Sequence, residues 1–136
     1  LVAVLAAVET VNARMPATLD AAALTVMAAR GQITGARVDG PLAFDNAISP
    51  EAARTKGIVS PVAGQADILL VPDLEAGNML AKQLIYFAGA DAAGLVLGAR
   101  VPIVLTSRSD SLKTRIASAA LAKLVASRRG PGIPAK

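Results

Sequence analysis

The stretch that most limits the fold is "ADILLV", residues 66 to 71, a short unbroken apolar run. It sits between a loop holding two glycines and a proline and the Pro72 that follows it. A run of that length with those bounds fits a strand of a parallel sheet covered on both faces. Leu1 to Val8 is a second apolar run, rich in Val and Leu and followed by polar Glu9, Thr10 and Asn12. It reads as a buried strand whose functional end lies at those polar residues.

Between and after these runs the hydrophobic period changes to that of helices. A helix beginning at Pro16 or Thr18 runs through Ala29, with Leu19, Ala22, Ala23, Val26 and Met27 at helical spacing and Gly31 placed to end it. Ile33 to Val38 reads as a second strand, stopped at Asp39-Gly40-Pro41. Ser49-Pro50-Glu51 has the cap-then-proline form of a helix start, covering Pro50 to Thr55. Lys56 to Gln65 is a loop, and a helix from Leu74 to Ala88 follows "ADILLV". Gly94 to Leu105 is either one bent strand or two, because Gly98 and Pro102 interrupt it. Leu112 to Ser127 is the clearest helix, with Leu112, Ile116, Ala120 and Leu124 in one apolar row. Alternating strands and helices with short connections predict a three-layer α/β/α sandwich with a largely parallel sheet. Ligands in such sheets bind where strand carboxyl ends meet helix amino ends.

With 136 residues the chain supports one domain, expected over residues 1 to 129, with a flexible tail over residues 130 to 136. Apolar residues make up 54% of it, but alanine inflates that figure. The longest clean apolar run falls far short of the roughly 20 residues that span a bilayer, so no membrane partner is expected. No basic segment precedes Leu1 to Val8 and the chain does not start with Met, so Leu1 is expected to be a cut through a longer protein. The chain holds no cysteine and no histidine, which excludes thiol nucleophiles, zinc clusters, imidazole bases and disulfides. That composition fits a cytoplasmic protein.

Charge is placed unevenly. Residues 1 to 99 carry six Lys/Arg against nine Asp/Glu, whereas 100 to 136 carry eight against one. The basic final third points to an anionic partner, either a phosphorylated small molecule or nucleic acid. Only Phe44, Tyr86 and Phe87 are aromatic, too few to stack single-stranded bases, so nucleic acid is not expected.

Two corners have chemical potential. After "ADILLV" the chain reads "PDLEAGNMLAK", where Asp73, Gly77, Asn78 and Lys82 surround a helix start; the arrangement suits either an anion at the helix amino end or plain capping with close packing at Gly77. In "LTSRSDSLKT", Thr106, Ser107, Ser109 and Ser111 cluster with Arg108 just before a strong helix. A guanidinium beside hydroxyls and free N–H groups suits phosphate or a carbonyl oxygen gaining negative charge, while Ser109, Asp110 or Ser111 also suits a helix cap. Asp39 and Asp45 flank a turn, where aspartates form side-chain turns or, as a pair, hold a metal.

Four ordered blocks, "VETVN…MPATLDAAAL", "VDGPLAFDNAIS", "VAGQADILLVPDLEAGNMLAKQL" and "GLVLGARVPIVLTSRSDS", resemble the second half of the phosphate acetyltransferase and phosphate butyryltransferase family, over roughly residues 5 to 125. The "LTSRSDS" form is more similar to the butyryl-type branch, which includes acetyl-transferring enzymes fused to an enoyl-CoA hydratase domain. The resemblance implies two α/β domains facing across a cleft, as in isocitrate and isopropylmalate dehydrogenases, in a homodimer. It implies reversible transfer of an acetyl or butyryl group between coenzyme A and inorganic phosphate. The partners are then coenzyme A or acyl-CoA and phosphate or acyl phosphate, with coenzyme A as a substrate, no separate cofactor and no metal. Ser107 and Arg108 match the family's serine–arginine pair, which stabilises charge on the carbonyl oxygen and leaving group. Where the acetyl branch has a thiol base, an aspartate seven residues after the serine, this sequence has Thr114, so the nearest carboxylate, Asp110, is the expected replacement. Asp73, Asn78, Lys82 and Thr106 are expected to bind substrate. Full members are more than twice as long, so the chain is expected to lack an N-terminal domain and to be inactive alone. The rivals are a metal-dependent dehydrogenase relative of the same fold and a non-catalytic dimerisation module.

Overall fold

The structure, a computed structural model, describes residues 1 to 129; the expected tail lies outside the described residues. These residues fall into two compact units, one from Leu1 to Leu80 and one beginning at Ala81.

The first unit is built on three strands, β1 (Val2–Leu5), β2 (Val38–Leu42) and β3 (Ile68–Leu70), in the order β2-β1-β3 and parallel throughout. Around them lie α1 (Pro16–Ala29), α2 (Phe44–Ile48), α3 (Pro50–Thr55) and the start of α4 (Leu74–Tyr86). The chain is therefore of the α/β class with a parallel sheet. Because side chains alternate along a strand, β1 sends Ala3 and Leu5 into a core with Leu42, Ala47 and Val62, against which Ile58, Leu69, Val71 and Leu80 pack. Val4 faces the other way, beside Ala21 of α1. Thr25 of α1 donates from its hydroxyl to the Gly40 carbonyl at 3.1 Å, tying that helix to β2.

α1 has no side-chain cap at Met15 but opens on Pro16, which supplies a helical φ at no cost in hydrogen bonds. The buried Thr18 secures the preceding turn, its hydroxyl accepting from the Asn12 N–H at 2.9 Å and lying 2.8 Å from the Met15 carbonyl. α3 starts as its sequence predicts: the Ser49 hydroxyl accepts from the Ala52 N–H, and Pro50 follows.

Two strand expectations need correction. Ile33 to Arg37 is bend and coil, and the strand comprises Val38–Leu42, including the Gly and Pro that were expected to stop it. Proline is tolerated because β2 is an edge strand and its register to β1 shifts between Ala3 and Leu5. Gly40 is required there, since a Cβ on it would lie 2.6 Å from the Val4 carbonyl oxygen. β3, expected to be covered on both faces, leaves Ile68 57% and Leu70 43% exposed. As the other edge of the sheet, it carries that face beyond the reach of the unit's own helices.

In the second unit the interrupted apolar stretch forms two strands, β4 (Leu95–Val96) and β5 (Ile103–Val104), paired antiparallel, followed by α5 (Leu112–Arg129). The face of α5 that packs is not the apolar row predicted for it. Ser118 is fully buried, accepting from the Gly94 N–H at 2.9 Å and donating to the Thr114 carbonyl at 2.8 Å, whereas Leu112, Ile116 and Leu124 are 60% or more exposed. The polar contact at Ser118 sets the helix rotation and turns the leucine row outward.

Candidate functional site

The loop between β5 and α5 is held by its own hydrogen bonds. Asp110 accepts the Ser107 N–H on Oδ2 at 2.6 Å, and the Asp110 N–H donates back to the Ser107 carbonyl at 3.1 Å. The Ser107 and Ser109 hydroxyls are 3.1 Å apart. The α5 cap is Ser111, whose hydroxyl accepts from the Thr114 N–H and lies 3.1 Å from the Thr114 hydroxyl. Of the three residues expected to cap, Ser111 therefore does so, and Asp110 instead closes the turn on Ser107. Thr106 and Arg108 are exposed, and among the described residues no carboxylate pairs with Arg108.

Beside this loop, within the second unit, is a cavity of about 200 Å³. Lys82, Ile85 and Tyr86 from the second half of α4 line one part of it, together with Ala90 and Asp91; Ser109, Asp110, Ser111 and Thr114 line the rest. The Lys82 ammonium lies 5.9 Å from the Tyr86 ring centre, within cation–π range. Asp91 is engaged by Lys113, whose ammonium is 2.7 Å from both carboxylate oxygens. The structure thus brings together Lys82, Ser109, Asp110 and Thr114, with Ser107 one hydrogen bond away. Ser107 and Arg108 do not line the cavity.

The start of "PDLEAGNMLAK" behaves as a packing helix. Asp73 caps α4 by accepting the Ala76 N–H at 2.7 Å. A Cβ on Gly77 would lie 2.9 Å from a Val71 methyl, so this glycine lets α4 approach the residue that follows β3. Asn78 is exposed on α4.

Sequence reasoning missed a polar cluster in the first unit, past the carboxyl ends of β1 and β2. Lys56 lies 3.0 Å from the Asp45 carboxylate and 3.4 Å from Glu9, and the buried Asn46 donates to Glu9 at 3.3 Å. The bond from Lys56 lowers the Asp45 pKa below its ordinary 3.8, and Asp45 in turn raises Lys56 above 10.5. Glu9 was visible as the polar end of β1, but nothing local in the sequence pairs it with a lysine 47 residues away. Asp39 bonds the N–H of the next residue, Gly40, and so does not join Asp45 as a pair. Among the described residues no three Asp or Glu side chains converge in a metal-binding arrangement, and no helix is long and apolar enough to cross a membrane.

Residues 1–123 match the family described as "Phosphate acetyl/butaryl transferase", and the chain belongs to that family. It is 71% identical to the phosphate acetyltransferase of Rhizobium meliloti over 94% of this chain and 40% of that protein. It is 61% identical to the probable phosphate butyryltransferase of Bacillus subtilis over 88% of this chain and 40% of that protein. A crystal structure of a branched-chain phosphotransacylase from Enterococcus faecalis V583 aligns with TM-score 0.76 and 38% identity, over 90% of this chain and 44% of that one. The chain spans about 40% of the length of the curated relatives it matches.

Proposed function

We propose that this chain supplies part of the active site for reversible transfer of an acetyl or butyryl group between coenzyme A and inorganic phosphate. The observation that carries the reading is family membership over residues 1–123, which includes the Ser107–Arg108 loop. The relatives' names, phosphate acetyltransferase and phosphate butyryltransferase, support the same reaction class. As the chain is about 40% of their length, it contributes one wall of a larger cleft and is inactive, or nearly so, alone. The two-domain dehydrogenase-like architecture, the homodimer and the cytoplasmic location implied by the resemblance belong to this proposal.

The chemistry is direct displacement. The coenzyme A thiol gives up its proton, the sulfur bonds to the carbonyl carbon of the acyl phosphate, and the carbon–oxygen bond to phosphate breaks, releasing inorganic phosphate. Holding both reactants in line removes much of the entropic part of the barrier. Arg108 and the Ser107 hydroxyl stabilise charge that develops on the carbonyl oxygen and leaving group. Asp110 holds the Ser107 backbone through Oδ2, which leaves Oδ1 as the acceptor for the thiol proton. Thr106 shapes the substrate side of the wall, and Lys82 contributes a cation.

The test uses a protein of the relatives' full length carrying this chain, with thioester absorbance followed as acyl phosphate and coenzyme A are mixed. The intact protein forms thioester, and Arg108→Ala lowers kcat by about a hundredfold or more, in line with the loss of an oxyanion-stabilising donor. Undiminished turnover in Arg108→Ala would remove Arg108 from the mechanism.

A further inference from the structure

We infer that Lys82 is a site of covalent self-acylation, its amine taking the acyl group of an acyl phosphate to give an Nε-acyl-lysine and inorganic phosphate. The inference rests on the acyl-transfer reading for the presence of acyl phosphate, and adds to it a reaction of the chain with its own substrate.

An acyl phosphate is a mixed anhydride, and the carbonyl carbon that a thiol attacks is open to an amine as well. A lysine reacts only with its nitrogen lone pair free, so a carboxylate that holds the ammonium form suppresses it. The four lysines among the described residues differ in this respect. Lys56 lies 3.0 Å from Asp45 and 3.4 Å from Glu9, and the bond to Asp45 raises its pKa. The Lys113 ammonium is 2.7 Å from both oxygens of Asp91. Lys123 has no carboxylate partner among the described residues, but it is exposed and stands outside the lining of the cavity in this unit. Lys82 is half-buried, has no carboxylate partner among the described residues, and lines that cavity of about 200 Å³ beside the Ser109 to Ser111 turn. Its contact is the face of Tyr86. Of the two carboxylates in the same lining, Asp91 is taken by Lys113 and Asp110 holds the Ser107 N–H. Lys82 is therefore the one lysine that combines freedom from an ion pair with a place where the reagent is confined, and confinement raises the rate of a two-body step.

The step balances without oxidant or metal. The ammonium first releases a proton to solvent. The nitrogen lone pair then bonds to the carbonyl carbon, the carbon–oxygen bond to phosphate breaks, and its electron pair leaves on phosphate, which takes the second proton from nitrogen. The product amide is neutral, so the acylated chain loses the cation at this position.

The test incubates the 136-residue chain with acetyl phosphate and, separately, with acetyl-coenzyme A, and follows acetyl gain at each lysine by peptide mass spectrometry. With acetyl phosphate, Lys82 is expected to react about tenfold or more faster than Lys123, a small part of what confinement can supply. Its rate should level off as acetyl phosphate is raised, while that of Lys123 climbs in proportion. Lys82→Arg removes the fast phase and leaves Lys123 as it was; Lys123 in the unsubstituted chain is the internal reference, so the comparison stands even where the variant misfolds. Equal rates at Lys82 and Lys123, or a rate at Lys82 that climbs without levelling, would overturn the assignment. Faster transfer to Lys82 from acetyl-coenzyme A than from acetyl phosphate would overturn the choice of donor. Because acetyl phosphate is added and not made, fast acetylation of Lys82 without acyl transfer by the longer protein counts against the proposed reaction alone, and acyl transfer without fast acetylation of Lys82 counts against this site alone.

Discussion

The unit from Leu1 to Leu80 and the unit beginning at Ala81 are assembled on different principles. The first has a parallel sheet whose central strand, β1, is buried on both faces: Ala3 and Leu5 enter one core, and Val4 meets α1 on the other side. Among its described residues the second has two strands of two residues each, and the fully buried side chain on its long helix is a serine. Its large apolar residues are mostly outside, including Phe87 at 90% and Leu105 at 67% exposure. Hydrophobic burial orders the first unit, whereas hydrogen bonds at Ser118, Ser107 and Ser111 fix local geometry in the second. The proposed chemistry resides in the second, where a loop is held by Asp110 and not by a packed core.

That contrast can be broken by mutation. The largest expected effect is from Leu42→Ala, which opens a void among Ala3, Leu5, Ala47 and Val62 and should cost about 2–5 kcal/mol by denaturant unfolding. A loss under 1 kcal/mol would show that the first core is loose. An intermediate effect is expected at the Lys56 bridge. Because the folded pKa of Asp45 lies below 3.8, its contribution is complete above that pH and lost as pH falls through the folded value. Because the folded pKa of Lys56 lies above 10.5, its contribution is complete below that pH and lost as pH rises through the folded value. Lys56→Met should therefore flatten the stability profile at both ends, and an unchanged acid limb would show that Asp45 draws its low pKa from elsewhere. The smallest effect is expected from Ile116→Ser on α5, within about 0.5 kcal/mol in this chain, since the residue is 60% exposed. A larger loss would mean that the leucine row is covered in solution, which analytical ultracentrifugation of the same sample would detect as association.

Elements with a strong local signal were legible. α1 and α3 open where proline and serine place them, and α5 begins directly after the Ser111 cap. The serine–arginine loop was legible from its resemblance to a family, and its position between β5 and α5 from the change of period. β2 was misplaced because Gly40 and Pro41 read locally as a stop, while the shifted register on an edge strand accommodates both. The Glu9–Lys56–Asp45 cluster was invisible because its members are brought together by strand order.

The amino-acid sequence alone determined the α/β class, the family and the chemical character of the loop, because periodicity, capping residues and ordered motifs are local properties of the chain. Only the tertiary structure decided which face of α5 packs, that Asp110 holds the Ser107 backbone, and that Lys82 shares a cavity with Ser109 and Thr114. Those outcomes depend on contacts between residues far apart in the chain, or on one hydrogen bond outcompeting another, and neither is encoded in any single stretch.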